Sequence, residues 1–174
     1  MGLCMVPSWL TPASAGPLEG CSDVRRSYKF RMRPTKRQLI ALRHCVDSHR
    51  ELYNAALQER RDAWRYSRTR ITYGDQSAQL KEIRRQRVDV GVWSFSSQQA
   101  TLCRLNRAFL SFFRRVKAGG KPGYPRFKGI GRFDSVEWPK DGDGARWRPD
   151  TGRVYLQGIG EVKVTAHRPC TTKG

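Results

Sequence analysis

The stretch RRSYKFRMR, residues 25–33, sets Tyr28, Phe30 and Met32 in alternation with Lys29, Arg31 and Arg33. A period of two is that of a half-buried β-strand, and Pro34 ends it. No comparable pattern returns until after Lys128. A strand without neighbours is not stable in water, so its partners are expected near the far end of the chain. The block between then reads as helices interrupting one sheet.

That block carries helical spacing. Thr35 followed by Gln38 resembles a capping box and predicts a helix from about Lys36. A second helix is predicted over about Val46–Tyr66, because Val46, Tyr53, Leu57 and Trp64 form a narrow core-facing stripe. Arg60 falls in that stripe, with its stem expected to pack and its guanidinium to reach outward. A break at Thr72-Tyr73-Gly74 leads to a third helix, about Asp75–Val88, and Gly91 breaks the chain again. The fourth runs from Ser96 to the Gly119-Gly120 pair, which suits a C-terminal cap. Its wheel places Leu105, Phe109, Phe112, Phe113 and Val116 on one arc and Arg104, Arg107, Arg114 and Arg115 opposite.

After Lys128 the period returns toward two. Residues 133–138 read as a strand, DGDGA as a loop, PDTG as a turn, RVYL as a strand, QGIG as a turn, and Val162, Val164 and Ala166 as the apolar side of a last strand.

Charge narrows the function. The 174 residues carry a formal +19, a self-repulsion best relieved by a polyanion. Asp23 to Lys128 holds 26 basic and 8 acidic residues, a net of +18, whereas Gly129 to Gly174 holds 8 and 6, a net of +2. From Val90 to Phe133 there are nine Lys or Arg and no acid at all, so the fourth helix lacks the i, i+4 partners that a solvated basic face ordinarily has. The loop GGKPGYPRFKG continues the pattern: its glycines permit close backbone approach and its prolines keep it extended. Tyr124 and Phe127 offer stacking faces, while Lys121, Arg126 and Lys128 meet phosphate charge.

Other chemistries find little support. Five cysteines at irregular spacing, with no CxxC, argue against a disulfide scaffold or a zinc module. His44 and His49, five apart, do not form an i, i+4 metal pair. The GIG triplets at Gly129 and Gly158 lack the residues of a phosphate loop. DGDG, with Asp141 and Asp143, reads as a turn rather than a cation loop. No segment is apolar for the about 18 residues of a membrane span, and the proline-broken N-terminus lacks a basic signal start.

Several stretches together resemble the TnpB (OrfB) family of insertion-sequence proteins: YKFRMRPT, Tyr53-Asn54, the Leu105, Ala108, Phe109, Phe112 and Phe113 pattern, GYPRFK, Ser135, GEVKV, and HRP with His167 and Arg168. The resemblance spans about Arg25 to Pro169, in order. It implies the N-terminal half of a transposon-encoded, RNA-guided DNA endonuclease: a wedge-like β-barrel interrupted by a helical recognition domain that grips guide RNA and DNA. In that family a RuvC-like domain with three acidic residues and a zinc ribbon makes the cuts, and neither is carried over onto these residues.

The expected architecture is therefore α+β, a helical recognition domain of about four helices inserted in a small, mostly antiparallel wedge-like β-barrel that is incomplete at the C-terminus. The expected organisation is a disordered leader at 1–24, a first strand at 25–33, the helical (helix-turn-helix) domain at 34–118, the basic loop at 119–132, the remaining strands at 133–168 and a tail at 169–174. Candidate contacts to DNA and guide-type RNA are Lys29, Arg31, Lys36 and Arg37; Tyr53 and Asn54; Lys81, Arg84 and Arg85; Arg104, Arg107, Arg114, Arg115 and Lys117; and Lys121, Tyr124, Arg126 and Lys128. The expectation is a cytoplasmic, nucleoid-associated binding protein with no nuclease activity of its own and no cofactor, Mg²⁺ and zinc belonging to the missing nuclease half. The rival readings are a fragment that cleaves with a separately encoded nuclease half, and a ribosomal-type structural RNA binder.

Overall fold

In a computed structural model of the protein, residues 29–165 are described. The predicted leader, residues 25–28 of the first strand, Ala166, the HRP stretch and the tail lie outside the described residues.

The first element among the described residues is strand β1 (Arg31–Arg33), and helix α1 (Lys36–Ser67) follows from Thr35. The Thr35 hydroxyl accepts from the Gln38 N–H at 3.3 Å, and the Gln38 side chain accepts from the Thr35 N–H at 3.0 Å, the reciprocal capping the sequence suggested. Two helices were expected here and one is found. No glycine or proline interrupts Lys36–Ser67, and the helix spans 32 residues, about 48 Å at 1.5 Å per residue. Such length is useful because its first half packs on the sheet and its middle on the other helices.

Helix α2 (Tyr73–Gln86) starts from a second capping box, Thr72 with Asp75. A short helix α3 (Val88–Gly91) leads to α4 (Phe95–Lys117). The glycine pair stops α4 as read from the sequence. Gly119 has φ +67°, its N–H bonds to the Val116 carbonyl at 3.1 Å, and the Gly120 N–H reaches the Arg115 carbonyl at 3.0 Å, the two bonds of a Schellman cap.

Strands β2 (Ala145–Arg148), β3 (Arg153–Leu156) and β4 (Gly160–Thr165) complete an antiparallel sheet of order β1-β4-β3-β2. The first strand does pair with the last, in the register Met32 opposite Val164. Among the described residues the four-stranded sheet is open at β1 and β2 and does not close into a barrel. Two expectations are corrected. Residues 133–138 form no strand: Phe133 packs in the helical core whereas Val136 and Trp138 pack against the sheet, so the segment bridges two cores. And ARWR is β2, paired with β3 across PDTG, so Ala145, expected at the end of the DGDGA loop, opens a strand.

Among the described residues there are two cores. One sets Val154, Leu156, Val162 and Val164 of the sheet against Leu42 and Cys45 of α1, with Trp93, Val136 and Trp138. The other joins Tyr53 and Leu57 of α1 to Leu80 of α2 and Leu102, Leu105 and Phe109 of α4. At the junction lies a buried polar seam. Ser94, the N-cap of α4, and Ser96 both donate to the Asp143 carbonyl, at 3.1 and 3.2 Å, so the DGDG turn docks on the start of α4.

His49 belongs to the same seam. It is 1% exposed; its Nδ1–H donates to the Cys45 carbonyl at 2.7 Å, and its Nε2 accepts the Ser97 hydroxyl at 2.9 Å. Burial pushes its pKa down from 6.5 to about 4, only partly offset by the hydrogen bond to Cys45. Between those values the unfolded chain takes up a proton that the folded one refuses. Stability should therefore be full above about pH 6.5 and fall as the pH drops toward 4, by up to about 3 kcal/mol from this group. Urea midpoints measured from pH 7 to pH 4.5 should show that decline, and the decline should be shallower in His49→Gln; parallel profiles would refute it.

Candidate nucleic-acid interface

Helix α4 follows the predicted apolar arc only in part: Leu105 and Phe109 are buried, whereas Phe113 and Val116, expected on the same arc, are 53% and 48% exposed because no described element covers the end of the helix. Leu102 is buried as well, while Arg107, Arg114, Arg115 and Lys117 are exposed. None of these four enters an ion pair among the described residues; the pairs found involve Arg50, Arg85, Arg87 and Arg148. The acid-free run in the sequence has become an unneutralised surface.

The loop after α4 is anchored at both ends. At its start stands the Gly119-Gly120 cap. At its end the Asn54 amide grips the backbone of Lys128 twice, donating to its carbonyl at 2.9 Å and accepting from its N–H at 2.8 Å. Between these points Tyr124 packs edge-on against Phe109 and Phe112, with centroids 5.6 and 5.3 Å apart, and Phe127 lies 5.2 Å from the Arg61 guanidinium. Lys121 and Arg126 are exposed. The loop thus presents its cations beside those at the end of α4.

Elsewhere the candidates divide. Lys29, Arg31, Lys36, Arg37 and Lys81 are exposed. Lys36 and Arg37 occupy the first turn of α1, which holds no acid, so two cations face the positive end of the helix dipole, an arrangement that an anion relieves. Arg85 is tied to Glu82 at 2.9 Å. Tyr53 is 3% exposed and packs at a tilt against Phe133, with ring centroids 6.0 Å apart, so its place is in the core. Lys128 is half-buried, with its ammonium 5.9 Å from the Tyr53 ring.

Two arginines are spent internally. Arg84 donates to the Trp93 carbonyl at 2.7 Å, the Gly91 carbonyl at 3.1 Å and the Gln98 side chain, and lies 5.6 Å from the Phe95 ring. Burial lowers its pKa, Asp143 partly compensating. It holds α2, α3 and α4 together. Arg104 donates to the Ser135 carbonyl and hydroxyl at 3.1 and 3.0 Å and covers the Phe133 ring at 4.9 Å, which fastens the bridging segment to α4.

The expected stripe on α1 needs two corrections. Arg60 does not reach outward: it is 9% exposed, bonded to Gln76 at 2.9 Å and Asn106 at 3.3 Å and set 5.1 Å from Phe109, with Nη2 left without a partner. Trp64, expected in the core, is 56% exposed, because the buried side of α1 ends at Arg60 and the helix runs on beyond the elements that cover it. The aromatic and basic cluster at that end escaped the sequence reading; Trp64 and Tyr66 among Arg61, Arg65, Arg68 and Arg70 were the available signal.

Among the described residues no group of three or more His, Cys, Asp or Glu side chains could hold a metal ion. Converging carboxylates of the kind a cation-dependent nuclease needs are not among the described residues.

Cations with no ion-pair partner among the described residues gather at the end of one helix and on the following loop, a charge distribution suited to a polyanion. Residues 22–69 match the family model HTH_OrfB_IS605, a helix-turn-helix domain. A protein of Streptomyces pristinaespiralis named "Putative RNA-guided DNA endonuclease" is 33% identical over 108 residues, which are 61% of this chain and 26% of that protein. The two matches support a TnpB/OrfB-family protein, as the sequence motifs implied. The chain covers about a quarter of the curated relative it matches. Within the matched span the described residues form β1 and the whole of α1 without a break, and the turn to α2 falls at its end.

Proposed function

We propose that this chain is the nucleic-acid-binding portion of a TnpB-like protein, holding DNA and guide-type RNA by their phosphates through the end of α4, the loop after it and the first turn of α1. The observation that carries this reading is the exposed set Arg107, Arg114, Arg115, Lys117, Lys121 and Arg126, which contains no ion pair among the described residues. A surface that serves only solubility mixes signs; this one does not. Cleavage, with the Mg²⁺ and zinc the family resemblance assigns to it, belongs in this reading to a nuclease half such as a separately encoded one. The similarity to the Streptomyces protein named for RNA-guided cleavage supports RNA as well as DNA as a partner.

Filter binding of the purified chain to single-stranded and duplex oligonucleotides across a salt series tests the reading. At least four phosphate contacts should give a log–log slope of about −3 or steeper. No binding at low salt, or a flat slope, overturns it.

A further inference from the structure

Arg68 is the one non-glycine residue with positive φ among the described residues, at +52°. It caps α1: its N–H bonds to the Trp64 carbonyl at 3.2 Å, and the Thr69 N–H to the Ala63 carbonyl at 3.1 Å. Glycine is the residue such a cap favours, and any side chain there strains the backbone. What the arginine gains is position, for its guanidinium lies 5.8 Å from the Trp64 ring. The neighbouring Arg65 stands 5.6 Å from the ring of Tyr66.

Both rings are open to solvent, Trp64 at 56% and Tyr66 at 75%. From Arg61 to Arg70 four exposed arginines accompany them, and the one acid, Asp62, is occupied by the Gln58 amide at 2.7 and 2.8 Å. Aromatic faces left in water beside unneutralised cations suit a ligand that is flat, apolar on its faces and anionic along its edge. A strand of nucleotides has that chemistry, and unpaired bases can leave their own stack to reach the rings. Duplex bases cannot.

We infer that the end of α1 is a stacking platform for a single-stranded stretch of nucleic acid, with Trp64 and Tyr66 taking bases while Arg65, Arg68 and Arg70 meet the phosphates. This rests on the nucleic-acid binding proposed above and narrows it to one strand at one place. Each guanidinium backs one face of its ring, and the base takes the other.

The test uses the full chain with oligo(dT), oligo(U) and a duplex of the same length. Trp64→Ala and Tyr66→Ala should each weaken single-strand binding about tenfold, leaving the salt slope and the duplex affinity unchanged, since no charge is removed. Arg68→Gly should raise the urea midpoint by relieving the cap while it weakens single-strand binding and lowers the slope by about 0.7; a purely structural cap would not give opposite signs. The preference for oligo(dT) or oligo(U) decides whether DNA or RNA supplies the strand. Unaltered single-strand binding by Trp64→Ala, or an equal loss on the duplex, overturns the platform and leaves the proposed function standing. A parent chain that binds no nucleic acid overturns both.

Discussion

Replacing Gly144 with alanine is expected to cost about 4 kcal/mol of folding stability, whereas the same change at Gly142, two residues earlier, costs about 1 kcal/mol. The backbone is equally left-handed at both, with φ +81° and +80°, so the conformational penalty is shared. Their surroundings differ. A Cβ at Gly142 meets nothing within 4 Å, while one at Gly144 would fall on the Cβ of Ser94, with the Ser94 Cα 3.3 Å away. Ser94 cannot yield, because it is the N-cap of α4, bonded to Ser97 and to the Asp143 carbonyl. Gly144 is therefore where the β2–β3 hairpin approaches the start of α4, and its carbonyl accepts the Gln157 N–H at 2.8 Å. Urea denaturation of the two variants measures the difference. Equal losses would mean that the turn is not docked on α4 and that the sheet and the helices are joined elsewhere.

The DGDG turn also shows what a linear reading can and cannot find. Its glycines announce a turn, and a turn was expected, but the contact that makes one glycine indispensable and the other replaceable joins residues about fifty apart in the chain. Local signals were legible: the Thr35 capping box, the Gly119-Gly120 stop, the RVYL strand, and the need for β1 to find a late partner, which Val164 supplies. Each depends on neighbours in sequence or on a rule about unpaired strands. What was not legible depends on where a surface ends. The stripe through Tyr53, Leu57, Arg60 and Trp64 has helical spacing throughout, yet the packing partners of α1 stop at Arg60, which puts the arginine inside and the tryptophan outside. Periodicity indicates a face, not how much of it is covered.

The same limit applies to the charges. Counting arginines between Val90 and Phe133 located the basic surface, but the count could not separate cations that face solvent from those that brace the fold. Arg104, inside that run, and Arg84, before it in α2, spend their hydrogen bonds on carbonyls of this chain. Asn54, grouped with the contacts by its place in a motif, holds the backbone of Lys128 instead. Its effect on binding, in this geometry, comes through the loop that it fixes.

That distinction yields the largest change expected in binding. Exchanging Arg107, Arg114, Arg115 and Lys117 together for glutamine should lower nucleic-acid affinity about a thousandfold at 0.1 M salt and reduce the log–log salt slope by about 3, since each phosphate left unneutralised keeps about 0.7 to 0.9 of a counterion that binding would otherwise release. The four side chains are exposed and enter no ion pair among the described residues, so the variant should keep its urea midpoint or gain slightly from reduced self-repulsion. Arg84→Gln serves as the opposite case: it empties three backbone and side-chain bonds at the α2–α3–α4 junction, so stability should fall while the slope stays as it was. Asn54→Ala should separate the third effect, weakening binding through a loosened loop with every cation still present and therefore with an unchanged slope. Were the fourfold variant to keep its slope while Arg84→Gln lowered it, the cations at the end of α4 would be ordinary solvated charge, and the phosphates would have to be held by the residues that now brace the fold.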